Sequence, residues 1–184
     1  MDSKISKGKL LVAMPTLLDP NFRRSVVLLC EHSPEGSLGL VINRPTEVEV
    51  STILNDYPVL TRTGKLYEGG PVAKNTILVL CRGRNGEEDH RALQDVFLAK
   101  DFEPFKSPGL LNDENGEVRC YVGYAGWSPG QLEMEVNAGA WHLLEGDSTL
   151  VFDADPSALW PEMMRRIGGE WAKYAEMPTD PSLN

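Results

Sequence analysis

The 184-residue chain has no run near the ~18 consecutive apolar residues that a bilayer-spanning helix needs. Its Met1-Asp2-Ser3-Lys4 opening lacks the apolar stretch of a secretory leader. A soluble, cytoplasmic protein is therefore expected, with no membrane partner. Cysteine is scarce: Cys30, Cys81 and Cys120 are odd in number, widely spaced and without a C-x-x-C pair. That pattern suits a reducing compartment and argues against a disulfide framework. Marks of the common chemistries are missing too. There is no Walker glycine loop, and His32, His90 and His142 are scattered without H-x-x-x-H spacing. No catalytic residue, metal site or cofactor is assigned.

Basic residues are also in the minority. Lys and Arg number 18 against 27 Asp and Glu, a net charge of −9. Nucleic-acid affinity comes largely from cations that displace counterions from phosphates, so direct DNA or RNA binding is disfavoured. A local exception is the start of the chain, where Lys4, Lys7, Lys9, Arg23 and Arg24 outnumber Asp2 and Asp19. Solvated charges or internal pair partners account for such a cluster more simply than a nucleic-acid patch.

The 41% hydrophobic content can furnish a core for one domain, taken as residues 1–184 with flexible ends outside about 8–168. Leu10 to Met14 reads as a strand stopped by Pro15. Ser25 to His32 reads as a central strand, with Val26, Leu28, Cys30 and His32 on one face and Val27 and Leu29 on the other. The turn Ser33-Pro34-Glu35-Gly36 leads into a partner strand over Leu38 to Asn43, which Arg44-Pro45 ends. Glu47 to Tyr57 is expected to be a short amphipathic helix. Gly69-Gly70-Pro71 makes a tight turn before a strand over Ile77 to Cys81. A charged loop over Arg82 to Asp89, a strand near Val96 to Lys100 and a loop over Gly109 to Gly116 follow.

Val118, Cys120, Val122 and Tyr124 alternate as one face of a strand. Ser128, Pro129 and Gln131 have the spacing of a capping box, so a helix starts there although Leu132, Met134 and Val136 alternate as a strand would. Trp141 to Leu144 and Leu150 to Phe152 read as short strands. Asp155 and Pro156 then open a helix whose stripe is Leu159, Trp160, Met163, Met164 and Ile167, closed by Gly168. A last short helix lies around Trp171 and Tyr174.

Few residue sets suggest chemistry. Cys30 and His32, two apart on one strand, are the only nucleophile–base pair in local sequence, against a reading in which Cys30 simply fills the core. Glu133 and Glu135 are a carboxylate pair better explained as the solvated side of a helix. Gly36, Gly39, Gly69 and Gly70 with Arg24 and Arg44 have the composition of an anion cradle, while glycines more often serve hairpins and close strand contact.

Five motifs stand in order: Gly8-Lys-Leu-Leu-Val-Ala-Met-Pro15, Asp19-Pro-Asn-Phe-Arg-Arg-Ser-Val-Val27, Gly36-Ser-Leu-Gly-Leu-Val-Ile-Asn-Arg-Pro45, Gly69-Gly-Pro-Val72 and Tyr124-Ala-Gly-Trp-Ser-Pro-Gly-Gln-Leu-Glu133. Together they resemble the bacterial YqgE/AlgH family over roughly residues 8 to 168. Ser37-Leu38 stands where that family more usually has alanine and methionine. The resemblance implies a compact α+β fold, with a largely antiparallel or bifurcated sheet closing like a barrel among helices. It also implies a cytoplasmic bacterial protein. It carries an association with transcriptional control of alginate synthesis but transfers no ligand, reaction or catalytic residue. The polar and glycine members of these motifs, with the tryptophan, define a candidate patch: Asp19, Arg24, Asn43, Arg44, Gly69, Gly70, Trp127, Gln131 and Glu133. The expected role is regulatory or protein-binding, with a protein partner. The alternative is a small anionic ligand, or an unrecognised reaction, at Arg24, Asn43 and Arg44.

Overall fold

The computed structural model describes residues 4–83, 90–99, 101–106 and 117–178. Ten strands lie in one sheet: β1 (Lys9–Ala13), β2 (Val26–Ser33), β3 (Gly36–Val41), β4 (Pro45–Glu49), β5 (Lys65–Glu68), β6 (Val72–Arg82), β7 (Arg91–Leu93), β8 (Val96–Leu98), β9 (Glu117–Trp127) and β10 (Trp141–Glu145). Three α-helices, α1 (Gln131–Asn137), α2 (Ser148–Phe152) and α3 (Pro156–Ile167), complete an α+β fold. A 3-10 segment, Gly169–Glu176, follows α3 and carries Trp171 and Tyr174.

The strand order is β10-β1-β2-β3-β9-β6-β8-β7. Because β9 is long, its last residues pair with β3 (Ser37↔Trp127 to Gly39↔Ala125), while Tyr121 and Val122 pair with β5 in parallel. The sheet therefore forks at β9, and β4 extends the fork by pairing antiparallel with β5. The sheet also curls. A Cβ on Gly8 would lie 2.7 Å from the Ala92 carbonyl oxygen, so β7 comes up against the segment entering β1. The glycine there permits a half-barrel closure.

The apolar pattern of β1 to β3 explains the layering. Leu10, Val12, Val26, Leu28, Leu40 and Ile42 face one core with Leu159, Trp160, Met163 and Met164 of α3. Leu11, Ala13, Val27, Leu29 and Val41 face another with Trp127, Leu132 and Trp141. A third core gathers Val79, Cys81, Cys120 and Phe105 at the other end of the sheet. β2 is buried on both faces, as its continuous apolar run requires.

Several expectations need correction. The segment 47–57 is not an α-helix: β4 occupies Pro45–Glu49 and a 3-10 turn follows at Val50–Thr52. Pro45 therefore begins a strand, a position that needs no ladder donor. Thr46 donates its hydroxyl to the Leu66 carbonyl at 2.8 Å, tying β4 to β5. Residues 150–152 belong to helix α2, because Asp147 caps it by accepting from the Thr149 and Leu150 amides. The capping-box geometry at Ser128 is half realised: Gln131 Oε1 accepts the Ser128 amide at 3.0 Å, but α1 begins only at Gln131.

Two bulges re-aim side chains. The β2–β3 register skips Cys30, passing from Leu29↔Gly39 to Glu31↔Leu38, so Cys30 and His32 do not share a face. Gly123 has φ +69°, and the β6–β9 register shifts between Val72 and Ile77. Tyr124 consequently packs with the β1–β3 core, whereas Val118, Cys120 and Val122 stay in the third core. The expected charged loop from Arg82 and the loop over 109–116 lie mostly or wholly outside the described residues, although Arg82 itself ends β6. Among the described residues no helix is long and apolar enough to cross a membrane.

Candidate functional site

The segment between β1 and β2 is organised by Asp19. Its carboxylate accepts the Asn21 amide at 2.8 Å, and its carbonyl accepts the amides of Phe22 and Arg23. This turn delivers Arg24 with φ +56°, a left-handed conformation rare for a residue with a Cβ. Asn43, just past β3, stabilises it there. Its Oδ1 accepts the Val26 amide at 2.9 Å and its Nδ2 donates to the Arg24 carbonyl at 3.0 Å. Arg44 donates to the Asn21 carbonyl at 2.5 Å and the Arg23 carbonyl at 2.9 Å.

Arg24 then projects over α3. Its guanidinium carbon is 4.8 Å from the Trp160 ring centroid, and its Nη2 donates to the carbonyls of Met177 and Pro178 at 2.8 and 2.9 Å. Arg23, Arg24, Asn43 and Arg44 line a cleft of about 560 Å³ with Trp160 and Pro161, and Ser157 and Pro156 of the first α3 turn close it. Burial lowers the pKa of Arg24, and Arg23 beside it lowers it further. Burial likewise lowers that of Arg44, with Glu68 and Asp19 opposing and Arg23 adding to the fall. Both stay cationic, so the cleft concentrates positive charge in an acidic protein.

The other expected residues lie elsewhere. Gly69 and Gly70 lie against the backbone of β9. A Cβ on Gly69 would sit 2.3 Å from the Gly123 carbonyl oxygen, and one on Gly70, φ +152°, would sit 2.2 Å from the Tyr124 carbonyl carbon. They let the β5–β6 connection cross β9 at backbone contact. Gln131 and Glu133 are on α1, and Trp127 pairs with Ser37 near the far end of β2 from Arg24, although its ring reaches back to Phe22. Eight strand residues of about 3.3 Å each separate those ends.

The sequence reading missed Glu135 as an organiser of this second region. Its Oε2 accepts the indole N–H of Trp127 at 3.0 Å and that of Trp141 at 2.7 Å, while its Oε1 accepts Gln131 Nε2 at 2.9 Å. It is therefore no solvated helix side chain but the shared acceptor of an aromatic cluster to which Phe22 adds its ring. Two tryptophans, Trp127 and Trp141, flanking a short helix that carries Glu135 are the signal that could have revealed it. Nearby, His32 Nδ1 lies 2.8 Å from Ser37 Oγ and its Nε2 lies 3.7 Å from Glu133 Oε1. Cys30 is buried, donates to the Leu28 carbonyl at 3.6 Å and has its thiol pKa pushed up to about 12, first by burial and then by Glu31. It is a core thiol. Among the described residues no three His, Cys, Asp or Glu side chains converge to hold a metal.

A forked, curled, mostly antiparallel sheet covered by short helices, with polar motif residues at its turns, defines an α+β protein of one particular architecture. Residues 10–172 match the family model DUF179, AlgH-like, and the chain belongs to that family. A UPF0301 protein of Streptomyces coelicolor is 44% identical over 182 residues, covering 96% of this chain and 94% of that one. One of Thermobifida fusca is 38% identical over 196 residues, covering 100% and 98%. The crystal structure of a Corynebacterium diphtheriae protein aligns with TM-score 0.75 at 25% identity over 95% of this chain and 93% of that one. The solution structure of the AlgH protein from Pseudomonas aeruginosa aligns with TM-score 0.72 at 26% identity over 98% and 99%.

Proposed function

We propose that this chain is an interaction protein whose basic cleft receives a carboxylate-bearing segment of an acidic protein partner, in keeping with a regulatory role. The observation that carries this is the cleft of about 560 Å³ that brings Arg23, Arg24 and Arg44 together, where burial lowers the pKa of Arg24 and Arg44 and Arg23 adds to the fall. An arriving anion relieves that crowding of like charge. A guanidinium presents the planar fork that carboxylates match. Leu18, 75% exposed at the rim, supplies an apolar contact beside it.

The net charge of −9 opposes approach of an acidic partner at long range, so the attraction is confined to about a Debye length, ~8 Å at physiological salt. Selection then depends on shape as well as charge. A small anionic ligand is the second reading, favoured by the same arginines. Calorimetric titration with a Glu-rich peptide carrying one leucine, and separately with inorganic phosphate, distinguishes the two. Binding of the peptide alone supports the first reading and equal binding of phosphate the second. No heat from either, or binding unchanged in Arg23→Glu, removes both.

A further inference from the structure

The second region holds an arrangement that the basic cleft does not use. β3 is paired on both sides at Ser37, with His32↔Ser37 toward β2 and Ser37↔Trp127 toward β9. The half-buried Ser37 side chain thus stands on a fixed backbone. The β2 bulge turns His32 away from Cys30 and onto the face of Ser37, its direct cross-strand partner. The 2.8 Å Nδ1···Oγ contact and the 3.7 Å Nε2···Glu133 approach lie on opposite nitrogens of one ring. A carboxylate only accepts, so the tautomer that presents a donor to Glu133 carries its proton on Nε2. Nδ1 is then left to accept from the Ser37 hydroxyl. A serine, a histidine base and an orienting carboxylate are the parts of a nucleophilic relay, recognised by geometry rather than by chain order.

Ser37 and His32 line a groove of about 840 Å³ with Trp127 and Pro129, and the groove continues past the strand ends to Leu38 and Tyr124 of the other core. Lys7, Glu31 and Glu35 are the other charged residues lining it. Trp127 and Pro129 offer apolar contact to a short acyl chain. Glu133 sits on α1, half exposed, and a shift of under an ångström brings its oxygen within hydrogen-bond reach of Nε2.

We propose that Ser37, activated by His32 with Glu133 as the positioning residue, is a nucleophile that accepts the acyl group of small activated esters. Ser37 Oγ attacks the carbonyl carbon while its proton passes to His32 Nδ1. The carbon–oxygen bond to the leaving group breaks, and the leaving alkoxide takes that proton from His32. The acyl group remains on Ser37 until water, deprotonated by the same nitrogen, releases it as the carboxylic acid. The site lies at the opposite end of β2 from the arginine cleft, and neither depends on the other.

The test is labelling of the intact protein with an alkyl fluorophosphonate, followed by mass measurement of the whole chain and of its peptides. The serine oxygen bonds phosphorus, fluoride leaves, and the hydroxyl proton passes to His32. One adduct on the Ser37 peptide is expected, absent in Ser37→Ala and formed about a hundredfold more slowly in His32→Gln, with thermal melting of both variants unchanged. Glu133→Ala is expected to slow labelling about tenfold, whereas Glu133→Gln, whose amide oxygen still accepts from Nε2, restores most of the rate. No adduct at Ser37 in the folded protein, or equal labelling rates in wild type and His32→Gln, overturns the proposal. A labelling rate unchanged in Glu133→Ala removes the role given to Glu133.

Discussion

Asn43 holds Arg24 in place through the backbone: its amide donates to the Arg24 carbonyl at 3.0 Å while its oxygen accepts the Val26 amide at 2.9 Å. One side chain therefore joins the end of β3 to the left-handed residue that enters β2. Asn43→Ala leaves the Val26 amide and the Arg24 carbonyl without these partners and is expected to cost about 2 kcal/mol in urea unfolding. Asn43→Asp keeps the acceptor but loses the donor, and should fall between. If Asn43→Ala unfolds like wild type, the clamp is not structural.

The crossing at Gly70 gives a sharper contrast. Gly70→Ala drives a Cβ into the Tyr124–Ala125 peptide at 2.2 to 2.4 Å with φ +152°, and is expected to cost about 3 kcal/mol or more, or to prevent folding. Gly64 also has positive φ, +77°, but a Cβ there meets nothing within 4 Å. Gly64→Ala should cost only about 1 kcal/mol, from backbone strain alone. Denaturant midpoints of the two variants check this order.

Glu135 should behave as a buried-network residue although it sits on a short surface helix. Glu135→Ala removes the one oxygen to which both Trp127 and Trp141 donate, at an expected cost of about 2 kcal/mol. Tryptophan emission should shift to longer wavelength as an indole N–H turns to water. Unchanged emission and stability would show that the two indoles do not need the carboxylate.

The thiols give a pH dependence with a definite sign. Burial raises Cys30 to about 12, Cys81 to about 12 and Cys120 to about 11, from an ordinary value of 9.0. The folded state thus holds these protons more tightly than the unfolded chain does. Their contribution is fully present below pH 9 and is lost as pH rises from 9 toward the folded values. The urea midpoint should fall between pH 8 and pH 10. Native protein at pH 8 should react slowly with a thiol reagent, and urea should release three thiols. Rapid reaction of the folded protein would contradict this burial.

The parts of the fold legible in sequence were those where local chemistry and tertiary packing agree. Asp155, Pro156, the Leu159–Met164 stripe and Gly168 marked α3 because cap, stripe and stop coincide. The double-faced run of β2 announced a strand buried on both sides. The 45–49 strand was missed because its pairing depends on β5, whose four residues carry little pattern of their own. Both bulges were invisible: an extra residue in a ladder changes no composition, yet it separated Cys30 from His32 and moved Tyr124 to another core.

The candidate patch was legible only in part. Asp19, Arg24, Asn43 and Arg44 meet because two adjacent strand ends bring their turns together, and those turns carried the polar motif residues. Gly69, Gly70, Trp127, Gln131 and Glu133 belong to other places. Trp160 and Ser157, which complete the cleft, come from a helix more than a hundred residues away along the chain, and no local spacing signals that meeting.

The proposed binding role rests on the cleft, and amide NMR during titration with a Glu-rich, leucine-containing peptide tests it most directly. The account predicts saturable shifts confined to the amides of residues 18–24, 43–44 and 157–160. It also predicts that Arg23→Glu, an exposed change expected to leave thermal stability within about 0.5 kcal/mol, weakens the affinity at least tenfold. Shifts elsewhere on the sheet, or an affinity indifferent to Arg23→Glu, would contradict it.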